Sequence, residues 1–271
     1  MRGDQMDKYE ALKNYLKRFD GIAVAFSAGV DSTFLLRVAH DILGDKAIAV
    51  TAKSPGVPGV EIKEAEDFCK TAGIKHIVFE SEEYKIPEYS SNVSERCYYC
   101  KKYIFNRIKE LASAAGIDTV IEGTNKDDTF DYRPGMRAIQ ELGILSPLAE
   151  FGFTKADVRE YSERLGLPSF NKNSFSCLAS RIPYGESITP EILKKVEEAE
   201  AVLRSLGLKQ YRVRVHGGTL ARIEVLPEDI EHVIREVSRR VINERFREIG
   251  FVYVTVDLGG YRTGSLNEVL K

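Results

Sequence analysis

The sequence has no apolar run near the roughly 20 residues that a bilayer-spanning helix requires, so no membrane segment is expected. It has no low-complexity tract and no internal repeat, which excludes a disordered linker protein and a solenoid. It also lacks a basic excess. Lys and Arg number 39 against 41 Asp and Glu, a net charge of −2, and this argues against a nucleic-acid backbone as main partner. Any polyanion must be met locally. The first residues, Met1-Arg2-Gly3-Asp4-Gln5, are polar and lead into an amphipathic pattern, unlike a secretory signal, so the expected location is cytoplasmic. Cysteine is scarce, with four in 271 residues, and in such a compartment these read as ligands or catalysts rather than disulfides.

What is present is a globular composition, 43% apolar and 30% charged, in a chain long enough for one large domain or two ordinary ones. Gly21–Phe26 is a continuous apolar run, the mark of a strand buried on both faces. Ser32–Leu43 follows with helical spacing, and Gly44 stops it. The alternation continues through strand 47–52, helix 61–72, strand 76–79, helix 99–115 and strand 119–122. A helix over 155–165 and a long polar loop over 168–187 come next. Such βαβ repetition predicts a doubly wound parallel α/β sheet with ligands at the carboxyl ends of its strands. Beyond the loop the order becomes α-β-β-α-β, including one long helix from Pro227 to Ile249. The chain therefore reads as a domain over residues 1–186 and a smaller α+β domain over 187–271.

Ser27-Ala28-Gly29-Val30-Asp31-Ser32-Thr33 stands between the first strand and the second helix. A helix N-terminus offers unpaired N–H groups and the positive dipole end to an anion. Gly29 permits close backbone approach, while Ser27, Ser32 and Thr33 supply hydroxyl donors. Asp31 can hold a metal ion, such as Mg²⁺, that bridges phosphates. No Gly-Lys-Ser/Thr follows, so this is not a Walker loop. The pattern resembles the Ser-Gly-Gly-x-Asp-Ser signature of PP-loop ATP pyrophosphatases, with Ala28 in place of the first glycine. The plainer alternative is a strand-to-helix turn with capping serines.

Cys97 and Cys100 sit one helical turn apart where a loop becomes a helix, and Cys177 lies in the long polar loop. Three thiolates without a fourth ligand suit a 4Fe–4S cluster with one open iron better than a closed zinc site. A redox or persulfide-carrying set and separate inert thiols remain the alternatives. Cys69, between helical apolar positions, reads as a small core residue.

With Asp131-Tyr132-Arg133-Pro134-Gly135, Ser180-Arg181-Ile182-Pro183-Tyr184-Gly185, Arg212-Val213-Arg214, Ala221-Arg222-Ile223-Glu224 and Asp257–Arg262, the chain resembles the LarE family over nearly its whole length. These are ATP-dependent sulfur transferases of nickel-pincer cofactor synthesis. The resemblance implies adenylation of a carboxylate of pyridinium-3,5-biscarboxylic acid mononucleotide, release of pyrophosphate, and replacement of AMP by sulfur. Some members sacrifice one cysteine in the loop before Ser-Arg-x-Pro-Tyr-Gly; here that position aligns with Ser176. Other members carry three cysteines that look like cluster ligands, and the likeness to those implies that Cys97, Cys100 and Cys177 hold a cluster carrying exchangeable sulfide from a separate donor. The resemblance also marks Ser180 and Arg181 as contacts to the substrate's phosphate and to AMP, and Glu200 as an acidic residue near that site, although in its Glu-rich helix face it could equally be solvated. Arg212 and Arg214, alternate residues on a strand, are read as a clamp for its phosphate, with a solvated basic strand face as the plainer alternative. Asp128, Asp131 and Arg133 are candidate nucleotide or substrate contacts. A homo-oligomer is expected by analogy with the trimer-based hexamers of the family.

Three rivals bound this reading. A cluster-dependent PP-loop tRNA thiolase would be expected to carry a basic surface and terminal zinc-ribbon cysteine pairs. An ammonia-using ligase leaves the cysteines without a role. A non-catalytic nucleotide-binding or iron–sulfur module would bind ATP without releasing pyrophosphate.

Overall fold

In the computed structural model, residues 3–130, 134–173, 176–262 and 264–270 are described. The chain divides into two compact units, one of Met1–Glu83 and Glu95–Ser174, the other of Tyr84–Ser94 and Phe175–Lys271.

The first unit begins with α1 (Gly3–Leu16) and is built on the strands β1 (Ile22–Ala25), β2 (Ala47–Lys53), β3 (His76–Glu80) and β4 (Thr119–Ile121). All pairings are parallel, in the order β3-β2-β1-β4, with Ile22 registered on Ala47 and Thr119. Parallel strands need crossover helices, and the periodic segments supply them as α2 (Val30–Leu43), α3 (Gly59–Ala72) and α4 (Arg96–Ala114). Alternation along β1 then explains why the apolar run is continuous. Ile22 and Val24 enter one core cluster with Phe34, Leu35 and Cys69, while Ala23 enters another with Phe105, Ile108 and Val120. Gly44 ends α2 at a φ of 56°, a left-handed value that favours glycine. The helices α5 (Pro134–Glu141) and α6 (Lys155–Arg164) complete this unit. Thr154 and Asp157 close a reciprocal capping box at the start of α6. Asp131 and Arg133, two of the sequence-derived candidates, lie outside the described residues.

In the second unit Thr189 caps α7 (Pro190–Ser205), its hydroxyl accepting from the Ile192 amide at 3.3 Å. The strands β5 (Tyr211–His216) and β6 (Leu220–Val225) are antiparallel, and β7 (Tyr253–Val256) joins β6 in parallel. The single long helix expected from Pro227 is not formed. A 3₁₀ turn over Pro227–Asp229 and a short helix over Ile230–Ile234 precede Arg235, which is extended with ψ at 147°, and α8 (Glu236–Ile249) follows. The break resets the helical phase. Val233, Ser238, Ile242 and Phe246 are all buried, yet a five-residue step from 233 to 238 would put the first two on different faces of one continuous helix.

The segment Tyr84–Ser94 belongs to this unit because its backbone and Asn92 hold the stretch after Arg181. The Asn92 side-chain amide donates to the carbonyls of Ile182 at 3.1 Å and Pro183 at 2.7 Å. Ile188 donates to the Ser90 carbonyl at 2.7 Å. Asn92 is fully buried with φ at 56°, a conformation that Asn tolerates better than most residues. No helix among the described residues is long and apolar enough to cross a membrane.

Asn92→Ala should lower the unfolding free energy by about 2–3 kcal/mol in urea titration, since it removes two buried hydrogen bonds at a left-handed residue. A change below about 0.5 kcal/mol would contradict this role.

Candidate active site

In the first unit, the carboxyl ends of β1, β2 and β4 open onto a cavity of about 380 Å³. Ser27, Gly29, Asp31 and Ser32 line it with Thr51, Lys101, Glu122, Gly123 and Asp128. The loop is held by its own hydroxyls: Ser27 and Ser32 Oγ lie 3.1 Å apart, and Ser32 donates to the Gly29 carbonyl at 3.3 Å. Thr33, the remaining loop candidate, is buried in α2 and lines a different cavity of about 640 Å³ with Ala28 and Lys172. Ala28 has φ at 53°, which accounts for glycine in the family signature. An alanine there costs about 1–2 kcal/mol of backbone strain, which burial of its methyl group in the core partly offsets. Lys172 fixes that turn by donating to the Ala28 carbonyl at 3.2 Å, and pairs with Glu64 at 2.6 Å.

The strongest support for the loop comes from residues that the sequence reading passed over. Gly123, just after β4, lies so close to α2 that a Cβ would stand 2.9 Å from the Ser32 amide nitrogen. Asn125 is fully buried and donates to Asp31 Oδ1 at 3.0 Å. Its own side-chain oxygen accepts from the amides of Asp127 and Asp128 at 2.9 and 3.2 Å. Asn125 thus aims Asp31 while ordering the turn that carries Asp128. Lys155 Nζ, 3.6 Å from Asp31 Oδ2, adds a cation. The available signal was the polar run Glu122–Asn125 at the carboxyl end of a parallel strand, where such folds bind ligands.

Cys97 and Cys100 lie about one turn apart at the start of α4. Tyr98 between them anchors that turn on α5, donating to Glu141 at 2.7 Å beneath the Arg137 guanidinium, which lies 4.0 Å from its ring. Cys97 is exposed and Cys100 half-buried, while burial pushes the Cys69 thiol up to about 12. Cys177 is exposed and belongs to the second unit. Within neither unit do three cysteines meet, and among the described residues no group of three or more His, Cys, Asp or Glu stands ready to hold a metal.

The second unit gathers the remaining candidates. Arg181, fully buried, makes a two-pronged pair with Glu200 at 2.8 and 3.1 Å. Glu200 is therefore buried rather than solvated like the exposed Glu198, and also accepts from the Val213 amide at 3.1 Å. Arg214 forms the same kind of pair with the fully buried Glu224 at 3.0 and 2.9 Å, and donates to the Ser180 carbonyl. Arg222 pairs with Glu224 at 3.1 Å and with Asp257. Arg212 is buried beside these groups, 5.1 Å from the Tyr261 ring centroid. Burial, then the neighbouring Arg181, pushes its guanidinium down to about 10. Arg212 and Arg214 are thus a desolvated cationic pair on a buried strand, not a basic face in water.

No family model matches the chain. It is 44% identical over 263 residues to an uncharacterised protein of Synechocystis sp., covering 97% of this chain and 98% of that one. It is 37% identical over 257 residues to a pyridinium-3,5-bisthiocarboxylic acid mononucleotide synthase of Lactiplantibacillus plantarum, covering 94% of this chain and 92% of that enzyme. A more distant likeness, 25% over 233 residues, reaches an argininosuccinate synthase of Methanocaldococcus jannaschii, covering 75% of this chain and 59% of that protein.

Gly123→Ala must displace the start of α2. ATP affinity by calorimetry should fall about tenfold or more, whereas unchanged affinity would remove the loop from nucleotide binding.

Proposed function

The chain belongs to the LarE family of pyridinium-3,5-bisthiocarboxylic acid mononucleotide synthases, ATP-using enzymes of PP-loop type, and we propose that it adenylates a carboxylate of pyridinium-3,5-biscarboxylic acid mononucleotide and then exchanges AMP for sulfur. The observation that carries this reading is the loop Ser27–Thr33 at the mouth of the cavity, with Asp31 aimed by Asn125.

The chemistry runs in two balanced steps. A substrate carboxylate oxygen attacks the α-phosphorus of ATP, and the bond to the β-phosphate oxygen breaks with its electron pair leaving on pyrophosphate. A sulfide then attacks the acyl carbon, and the acyl–oxygen bond breaks with its electrons leaving on AMP. The protein's part in the first step is electrostatic. The amides and hydroxyls around Gly29 and Ser32 receive phosphate oxygens, and Lys101 and Lys155 add positive charge. The carboxylates of Asp31 and Asp128 in the cavity wall are hard oxygen donors and fit Mg²⁺, which would neutralise phosphate charge when bound.

Arg212 and Arg214 are assigned to the substrate's phosphate, with Ser180 beside them. A buried guanidinium whose charge is disfavoured by burial and by Arg181 regains stability when an anion arrives, which supports that role. Cys97, Cys100 and Cys177 are assigned to sulfur delivery. Their thiols have the donor chemistry of a 4Fe–4S cluster, which would supply sulfide. Neither unit by itself assembles the three. The separate sulfide donor and homo-oligomeric assembly belong to the same proposal.

Anaerobic protein should release AMP and pyrophosphate from ATP only when the pyridinium dicarboxylate mononucleotide is present. Release driven by tRNA, or ATP binding without release, would overturn the reading. About four irons per chain, lost in each of Cys97→Ala, Cys100→Ala and Cys177→Ala, is the result expected of a cluster. Iron-free wild type would instead assign the three thiols to direct sulfur chemistry.

A further inference from the structure

We infer that Arg181 is a positioning residue, whose pair with Glu200 sets the backbone that presents Cys177. Its catalytic arm rests on the sulfur-transfer reading; its geometric arm does not.

In the loop before Arg181, Leu178 and Ala179 are buried and the Ser176 and Ser180 hydroxyls lie 3.0 Å apart. Ser176 and Cys177 are exposed, and only a single 3₁₀ turn over Leu178–Arg181 gives it regular structure. Yet four acceptors on it lie within hydrogen-bond distance of one guanidinium nitrogen of Arg181 and share its two N–H donors. These are the Ser176 carbonyl and hydroxyl, both at 2.8 Å, the Cys177 carbonyl at 3.1 Å and the Ser180 hydroxyl at 2.8 Å. Glu200 grips the other side of the same fork. Because Glu200 also accepts from the Val213 amide, the Cys177 backbone is tied through Arg181 to α7 and β5. Arg214 holds the turn from a second direction through the Ser180 carbonyl, itself gripped by Glu224.

Burial strengthens the assignment. Arg181 has no exposed surface, and its donors are committed to Glu200 and the loop. A planar fork with fixed donor directions suits this task, whereas a lysine ammonium offers one point of charge. To touch a nucleotide directly, Arg181 would have to abandon contacts inside a desolvated pair, which is costly. The resemblance alone assigned it to AMP; the geometry assigns it to Cys177.

Two variants divide these roles. Arg181→Lys keeps a charge against Glu200 but loses the planar fork that serves Glu200 and the loop together, and Ser176→Ala removes one acceptor with little risk to folding. The alkylation rate of each cysteine in the native protein, read by peptide mass spectrometry, is compared with kcat and with KM for ATP. For Arg181→Lys, Cys177 labelling should shift about threefold or more against Cys97 and Cys100, and sulfur-transfer kcat should fall about tenfold or more. KM for ATP should stay within about twofold, because no nucleotide contact is lost. Ser176→Ala should move Cys177 labelling in the same direction by less. A tenfold rise in KM for ATP with Cys177 labelling unchanged, or no change in any reading, would overturn the inference. If wild type transfers no sulfur, the proposed function fails, and the labelling comparison still decides this one.

Discussion

The cavity at the carboxyl ends of β1, β2 and β4 depends on one close approach. At Gly123 the chain leaving β4 comes against the amide of Ser32, in space that a single methyl group would fill. That contact seats the start of α2 against β4, so the loop's donors and the Asp31 carboxylate face a common cavity. Asn125, two residues further on, turns the same proximity into a direction by bonding Asp31 and the Asp127–Asp128 turn together. A loop of small residues would otherwise have many conformations; here the segment after β4 removes that freedom before any ligand arrives.

The second unit solves a different problem, holding positive charge without water. Arg181 and Arg214 are each matched by a buried glutamate, and Arg222 shares Glu224 with Arg214. Pairs like these are poor sources of stability, since desolvation offsets most of their attraction, so their value lies in fixed geometry. They hold Arg212, Arg214 and Ser180 in set positions, which a phosphate-recognition site requires.

Much of this was legible in the residues. The β1 run, the loop and α2 follow one another in the order that parallel α/β folds impose, and their periods are unmistakable. Gly123 and Asn125 were not singled out, because a lone glycine and asparagine after a strand resemble any turn, and their importance arises only from a partner some 90 positions away. The membership of Tyr84–Ser94 in the second unit had no local signal at all, since it rests on Asn92 reaching Ile182 and Pro183. Glu200 was named by resemblance, and its burial could also have been read from spacing alone. Leu193, Val196, Ala199 and Leu203 form the buried stripe of α7, and Glu200 lies on it, where an unpaired carboxylate would be prohibitive. The break at Arg235 escaped notice because no proline or glycine marks it.

The most direct test of the account follows oxygen from the substrate. With both oxygens of the reacting carboxylate labelled as ¹⁸O, one turnover should leave one label in AMP, one in the thiocarboxylate, and none in pyrophosphate. Unlabelled AMP beside a sulfur-containing product would show that no acyl adenylate forms, and would contradict the account at its centre.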